Sequence, residues 1–276
     1  MPNWQRSGQP RMSKGACIIA SNTHTGDKIL DYVGLAAKNA RLIRNHLKVP
    51  VALLTTERDH DAAILREFDE IVCIQDRPAH KRSMLQGNDH ITYAWKNDQR
   101  IESFHESPWS RTLLLDADYI VQSDQLRLLL DSDQSFQMID AVYDITGRNS
   151  FRNMHFMPDH SIRQCWATVM CFDRSAGPVF EAARMVRDNY DYYAAMFDFS
   201  KRPYRNDYAF SIAAHLSGKP RLPWSMAQLP PDCNVEADGR GLKISYANNL
   251  LRWQGDLHIL NKSIVIDPGL LGALDE

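Results

Sequence analysis

Short apolar segments alternate with amphipathic ones along the first part of the chain. The runs at 15–21, 51–56 and 69–76 are apolar and partly β-branched and predict strands. The segments 31–47 and 61–68 place apolar residues at helical spacing. This strand–helix–strand rhythm is typical of crossover connections in a parallel sheet. The pattern therefore predicts an α/β fold with a mostly parallel central sheet flanked by helices.

The later part of the chain is less regular. The sequence predicts a helix over 89–107, a strand over 111–118 and a long irregular loop over 147–164. We expect residues 1–13 to form a polar extension and residues 14–276 to form one domain. The other predicted elements are a short helix at 125–132, strands at 136–145 and 165–173, helices at 178–197 and 204–218, and strands at 242–247 and 256–262.

The composition is that of an ordinary globular protein, with 44% hydrophobic and 24% charged residues and a formal net charge of -2. This charge balance indicates neither a nucleic-acid nor a membrane partner. Apolar stretches of signal-peptide or bilayer-spanning length are lacking, so we expect no membrane span. The five cysteines form no C-x-x-C pair, which favours a reducing, cytoplasmic location.

Two acids follow an apolar run in the stretch SRTLLLDADYIVQSD, residues 110–124. Asp116 and Asp118 are two residues apart, so both side chains point to the same side of an extended backbone. Open α/β sheets bind ligands at the carboxyl ends of their strands. Two carboxylates that converge there repel each other unless a cation joins them, and a divalent, oxygen-binding ion such as Mg²⁺ or Mn²⁺ suits them.

The same spacing occurs twice more, at Asp59/Asp61 and Asp131/Asp133. Both of these pairs lie in polar, turn-like surroundings, where solvated helix caps are the simpler interpretation. The pair at Asp116 and Asp118 alone follows a buried strand, where the burial of charge requires a partner.

The order of several segments resembles a known family. Residues 107–124 resemble the nucleotide-sugar signature of GT-A glycosyltransferases, especially the family 8-like enzymes, in which a strand ending in D-x-D holds a divalent metal on the donor diphosphate. The resemblance covers most of 13–265 and implies a GT-A, Rossmann-like fold, with 14–146 binding the nucleotide sugar and 147–276 the acceptor. The other similar segments are 15–43, 165–175, 204–216 and 256–262.

The resemblance also implies a set of residues at the donor. Asp116, Asp118 and His258 would hold Mn²⁺ or Mg²⁺, and Asp116 and Lys262 would lie near the donor diphosphate. The family's fuller motif has a glycine and a more distant lysine after the histidine, which HILNK lacks. Taken without the acid pair, His258 is better interpreted as a half-buried strand residue. Lys96 resembles the family's basic donor-binding position, with a solvated lysine as the alternative.

Other donor-side assignments have open alternatives. Ser21, Asn22 and Thr23 follow the first strand and are predicted either to contact the nucleoside or to cap the next helix. Asp207 resembles the acid that faces the donor sugar and is the predicted catalytic residue; pairing with Arg205 is the alternative. Family 8-like enzymes retain the anomeric configuration, and retention needs no carboxylate to take the acceptor proton, so we expect retention.

The acceptor side is predicted at the irregular loop. Asp144 precedes this loop, and Arg148, Arg152 and Trp166 combine cations with an aromatic ring. Such a surface suits an anionic, stackable acceptor, including an extruded base; a solvated loop packed on its own aromatic residues is the alternative. Small sugar-modifying phage enzymes look similar, and some glycosylate hydroxymethylated pyrimidines in DNA. A phage-encoded enzyme would act in the host cytoplasm. Protein and carbohydrate acceptors stay open.

These observations predict a metal-dependent hexosyl- or pentosyltransferase that uses a nucleotide sugar, most simply a UDP-sugar. A metal and nearby cations would stabilise the charge that develops on the departing diphosphate. One alternative is a sugar-phosphate nucleotidyltransferase, although SNTHTGDK poorly matches the glycine-rich, basic loop of that class. Another is a non-catalytic nucleotide-sugar-binding module.

Overall fold

A nine-stranded sheet forms the centre of the protein in the computed structural model, which describes residues 11–25, 28–56, 61–75, 80–86, 89–147, 162–197, 203–218, 222–229, 233–238, 241–246 and 249–260. The strands are β1 (Arg11–Ile19), β2 (Thr23–Thr25), β3 (Lys28–Leu30), β4 (Val51–Thr55), β5 (Glu70–Cys73), β6 (His80–Gln86), β7 (Asp89–Trp95), β8 (Trp109–Asp116), β9 (Tyr119–Ile120), β10 (Phe136–Asp144), β11 (Trp166–Asp173), β12 (Leu222–Leu229), β13 (Asn234–Asp238), β14 (Gly241–Tyr246), β15 (Asn249–Trp253) and β16 (Leu257–Ile259). The α-helices are α1 (Tyr32–Leu47), α2 (Ala62–Leu65), α3 (Ser103–Glu106), α4 (Arg127–Asp131), α5 (Gly177–Asp188), α6 (Tyr190–Met196) and α7 (Asn206–Leu216), and short 3₁₀ helices span Lys96–Glu102 and Arg174–Ala176.

The strand order of the central sheet is β5-β4-β1-β8-β11-β10-β12-β16-β9. The first four strands are parallel, and in chain order they read 3-2-1-4, the arrangement of a doubly wound sheet. β11 runs antiparallel to both of its neighbours, and β10, β12 and β16 are parallel again. The predicted α/β class, with a mostly parallel sheet flanked by helices, is confirmed.

Helices cover both faces of this sheet because its central strands are apolar on both sides. Ala16 and Ile18 of β1 belong to a cluster that includes the buried side of α1, whereas Cys17 and Ile19 belong to a second cluster with α5 and α7. Runs that are apolar on both faces are typical of buried parallel strands. Among the described residues, no helix has both the length and the apolar character needed to cross a membrane.

Local sequence signals account for the helix that follows β1. Asp31 caps α1 by accepting a hydrogen bond from the backbone N–H of Gly34 at 2.8 Å. The helix ends at Lys48, which has a left-handed backbone with φ 55. The cap and the apolar spacing together explain why the predicted helix at 31–47 forms.

The prediction of a helix over 89–107 is wrong for its first part. Residues 89–95 form β7, which pairs antiparallel with β6, and the chain then continues into the 3₁₀ helix Lys96–Glu102 and α3. The stretch ITYAW is β-branched and aromatic, and pairing with β6 satisfies its preference for a strand.

Two further differences concern the second half of the chain. The helix predicted over 178–197 is two helices, α5 and α6, which are separated at Asn189. β12 was not predicted, yet it lies inside the central sheet between β10 and β16.

The first strand also differs from the expectation. β1 begins at Arg11, before the domain boundary expected at residue 14.

Candidate metal centre

The carboxyl ends of β1 and β8 lie side by side at one edge of the central sheet. Ile19 is the register partner of Asp116, and Ser21 follows β1 at the same edge. β4 and β5 lie on one side of β1, and β8 lies on its other side. The strand order therefore reverses between β1 and β8. Ligands of open α/β sheets bind at such a reversal. The topology therefore marks this edge as the expected ligand site.

Three potential metal ligands converge at this edge. Asp116, Asp118 and His258 each offer one ligand atom, and these atoms lie within 4.8 Å of one another. Two atoms on opposite sides of one divalent ion are about 4–5 Å apart, given metal–oxygen distances of about 2.0–2.6 Å. The side chain of Asp116 is 18% exposed, while Asp118 and His258 are almost completely buried. The cluster is thus compact and faces the solvent through Asp116.

Backbone pairing brings the histidine to the acids. β16 pairs antiparallel with β9, which begins one residue after Asp118, and places His258 opposite Tyr119. The backbone N–H of Ile259 also donates to the carbonyl oxygen of Asp118 at 2.9 Å. As a result, His258 Nε2 lies 3.5 Å from Asp118 Oδ1.

A buried arginine lies beside the first acid. Arg100, on the 3₁₀ helix before α3, is 1% exposed and donates from Nη2 to Oδ1 of Asp116. Its Nε and Nη1 have no hydrogen-bond partner among the described residues. The positive charge of Arg100 offsets the negative charge of one carboxylate. With the imidazole counted as neutral, these four side chains keep one negative charge, which favours a cation.

The donor set fits a divalent ion of the Mn²⁺ or Mg²⁺ type. Two carboxylates and one imidazole supply oxygen and nitrogen ligands, which suit Mn²⁺. His258 is 6% exposed, and its Nδ1 has no partner among the described residues. A buried imidazole nitrogen without a hydrogen-bond partner is costly unless another group engages it.

The predicted donor-binding residues after β1 are already engaged within the protein. Ser21 Oγ accepts a hydrogen bond from the backbone N–H of Thr56 at 3.0 Å, which ties β1 to the end of β4. Asn22 Oδ1 accepts from the N–H of Val33 at 3.1 Å, so Asn22 has the alternative role of capping the next helix. Thr23 lies in β2, and its side chain lies outside the described residues.

The two predicted donor-binding lysines remain predictions. Lys96 begins the 3₁₀ helix that also contains Arg100, and its side chain lies outside the described residues. Lys262 lies wholly outside them.

The predicted catalytic acid is held by two partners. Asp207 Oδ1 accepts from the N–H of Ala167 at 2.9 Å, and its Oδ2 is 2.8 Å from Nη2 of Arg205. The ion pair named as the alternative is therefore present. Asp207 is 8% exposed and begins α7 at the end of the sheet where β11 starts. A catalytic role for Asp207 remains a prediction.

Of the predicted acceptor residues, two are described. Asp144 ends β10, and its Oδ1 accepts from both N–H and Oγ1 of Thr146. Trp166 begins β11, is buried, and has the guanidinium of Arg205 5.7 Å from its ring centroid. Arg148 and Arg152 lie outside the described residues. The acceptor role of these residues is untested.

Sequence reasoning missed Arg100, Asn39 and Gln228. Arg100 was hidden because its segment was interpreted as one amphipathic helix. Asn39 and Gln228 are both 0% exposed, and a buried amide has no periodic signature in a single sequence. The one available signal was an uncharged polar residue within an apolar helix or strand pattern.

No protein-family model matches the chain, and no curated protein is significantly similar to it in sequence. Solved structures that resemble its fold include the galactosyltransferase LgtC with donor and acceptor sugar analogues, at 10% identity over 78% of this chain and 73% of that chain with a TM-score of 0.46. An active-site mutant of LgtC is 8% identical over 72% of this chain and 70% of that chain, with a TM-score of 0.45. The glycosyltransferase GlyE of Streptococcus pneumoniae is 13% identical, with a TM-score of 0.42. The match covers 76% of this chain and 45% of that chain. Likenesses at these TM-scores establish neither a family nor an activity for this chain.

Proposed function

We propose that the protein is a metal-dependent glycosyltransferase that moves a sugar from a nucleotide-sugar donor, a UDP-sugar, to an acceptor. One observation supports the proposal above all others: Asp116, Asp118 and His258 converge within 4.8 Å at the reversal point between β1 and β8. Ligand-binding crevices of doubly wound sheets lie at this point. The resemblance of 107–124 to the D-x-D signature supports the same function.

The side chains of the site have separate tasks in this proposal. Asp116, Asp118 and His258 would hold Mn²⁺ or Mg²⁺ at the carboxyl end of β8. When bound, the ion supplies positive charge that stabilises the departing diphosphate. Arg100 donates to Asp116 and so fixes the direction of that carboxylate, which makes it a positioning residue. Burial of Asp118 and His258 limits the water that competes with these contacts.

Asp207 is the proposed catalytic residue that faces the donor sugar. Asp207 is anchored by Ala167 and Arg205, so its carboxylate has a fixed direction without help from a substrate. Both carboxylate oxygens of Asp207 are already engaged, which fits the expected retention better than inversion, where a carboxylate takes the acceptor proton. Acceptor binding is assigned to Asp144, Arg148, Arg152 and Trp166, and a hydroxymethylated pyrimidine in DNA is one acceptor to test.

Hydrolysis of the donor tests the proposal without knowledge of the acceptor. Purified protein is incubated with UDP-glucose, UDP-galactose or UDP-N-acetylglucosamine, and released UDP is measured with and without Mn²⁺. We expect slow UDP release that requires the metal and that falls at least about 100-fold in Asp118→Ala, since removal of one stabilising group at a charged transition state typically costs a factor of about 10²–10³.

Asp133→Ala is the matched control. Asp133 also belongs to a D-x-D sequence but is exposed and contacts its neighbour Gln134. The Asp133→Ala variant should hydrolyse the donor as fast as the parent protein does. UDP release that is independent of metal and unchanged in Asp118→Ala would contradict the proposal, and pyrophosphate formation from UTP and a sugar phosphate would favour a nucleotidyltransferase. A mass gain of hydroxymethylated duplex DNA after incubation would identify DNA as the acceptor.

A further inference from the structure

Gln228 is a fully buried amide with no hydrogen bond to the residues that the structure describes. It lies on β12, is 0% exposed, and both Oε1 and Nε2 lack a partner there. Nearly all buried polar side chains in folded proteins have a partner, so such an amide requires an explanation. Glutamine is also a poor choice for a purely apolar core position.

The register of the sheet gives Gln228 two polar neighbours. β12 lies between β10 and β16, and Gln228 is the register partner of Asp144 on one side and of His258 on the other. Neighbouring strands are about 4.7–4.9 Å apart, and register partners project their side chains from the same face. The amide of Gln228 and the imidazole of His258 are therefore adjacent.

The unsatisfied atoms of these two neighbours are complementary. His258 directs Nε2 towards Asp118, at 3.5 Å from Oδ1, while its Nδ1 has no partner among the described residues. An imidazole that binds a metal through one nitrogen carries a proton on the other, and that N–H almost always donates to a carboxylate, a carbonyl or water. Gln228 Oε1, on the neighbouring strand, is an acceptor of this kind, although the two atoms do not bond to each other in the structure.

We propose that Gln228 is a positioning residue of the metal centre: its side-chain carbonyl accepts the Nδ1–H of His258 and thereby holds Nε2 ready for the ion. This inference rests on the proposed function, because it assumes that the three ligands bind a metal. A neutral acceptor also fits the site, since another carboxylate would add negative charge beside Asp116 and Asp118. The expected contribution is to metal affinity and to the tautomer of His258.

The affinity of Mn²⁺ tests this role without substrate. Mn²⁺ is titrated into the full-length protein, and free Mn²⁺ is followed by electron paramagnetic resonance. Gln228→Met keeps the size of the side chain but removes the acceptor, and it should weaken Mn²⁺ binding about 10–100-fold, as is typical for loss of a hydrogen-bond partner of a ligating histidine. Gln228→Glu retains an acceptor and should bind Mn²⁺ more tightly than Gln228→Met.

The tautomer of His258 provides a second, spectroscopic readout. In metal-free protein labelled with ¹⁵N at histidine, His258 should be protonated at Nδ1, and Gln228→Met should populate both tautomers. A thermal melt of each apoprotein shows whether it folds; a purely structural amide would leave affinity and tautomer unchanged in Gln228→Met.

The outcomes separate the two proposals. If the parent protein binds no Mn²⁺, the proposed function fails together with this inference. If the parent binds Mn²⁺ but Gln228→Met binds it equally well, or if the metal-free parent protein carries the His258 proton on Nε2, the inference fails and the proposed function stands. The measurement on the parent protein decides the question even if the methionine variant does not fold.

Discussion

At the scale of single residues, burial sets the reactivity of the cysteine thiols. Removal from water raises the pKa of Cys17 and of Cys171 to about 12, since the charged thiolate is poorly solvated inside the protein. The thiolate is the nucleophile, so at pH 8 both should resist iodoacetamide in the native protein. Cys73 is only partly buried and should be alkylated first.

Peptide mass spectrometry after alkylation measures this difference directly. The same reaction in guanidinium chloride should modify all five cysteines, which shows that the thiols are intrinsically reactive. Native alkylation of Cys17 at the rate of Cys73 would contradict the burial of β1.

Single residues also show what could be predicted from the sequence alone. Asp116 and Asp118 were identifiable because acids at the end of an apolar strand are unusual, and their convergence agrees with that expectation. Arg100 was not identifiable, because its contact with Asp116 depends on the path of the chain through β6 and β7 rather than on any local pattern. Local sequence patterns indicate which residues are buried. Contacts between segments that are distant in the chain can be identified only when the fold is known.

At the scale of elements, Asn39 links α1 to the segment that carries the acids. Its Nδ2 donates to the carbonyl oxygen of Tyr119 at 2.6 Å, and its Oδ1 accepts from the N–H of Val121 at 3.1 Å. Asn39→Leu keeps the branched shape of the side chain but replaces its amide with two methyl groups, which leaves both backbone groups unsatisfied. At about 1–3 kcal/mol for each such group, we expect the free energy of unfolding to fall by about 2–6 kcal/mol.

Urea denaturation checks this value, with Asn45→Leu as the control. Asn45 is the same residue type on the same helix but is exposed, so its substitution should change the free energy of unfolding by less than about 0.5 kcal/mol. Equal effects of the two substitutions would mean that α1 does not position β9.

The elements were predictable where one physical signal dominated. α1 combines an N-cap with helical spacing, and β8 is a continuous apolar run. β7 and β12 were not predicted. The stretch ITYAW of β7 prefers a strand but was interpreted as part of a longer helical pattern. β12 pairs with β10 and β16, and pairing of this kind is not visible in the local sequence.

At the scale of the whole molecule, the candidate centre joins parts of the chain that are distant in sequence. Asp116 ends β8 and Asp118 follows it, whereas His258 lies much later in the chain, on β16. In the structure, β9 and β16 bridge this distance by pairing with each other. An ion held by all three residues would therefore cross-link two regions that separate when the protein unfolds.

Because the unfolded chain cannot bring these three ligands together, a bound ion should stabilise the folded protein. At a Mn²⁺ concentration 100 times the Kd, linkage adds about 2.7 kcal/mol, which for a chain of this size corresponds to a rise in Tm of roughly 5–10 °C. Asp118→Ala and His258→Ala should each abolish the rise, while Asp133→Ala should retain it. Differential scanning calorimetry with Mn²⁺ and with excess EDTA measures the shift. A rise that persists in both Asp118→Ala and His258→Ala would locate the ion elsewhere, and the crevice between β1 and β8 would then need a different ligand.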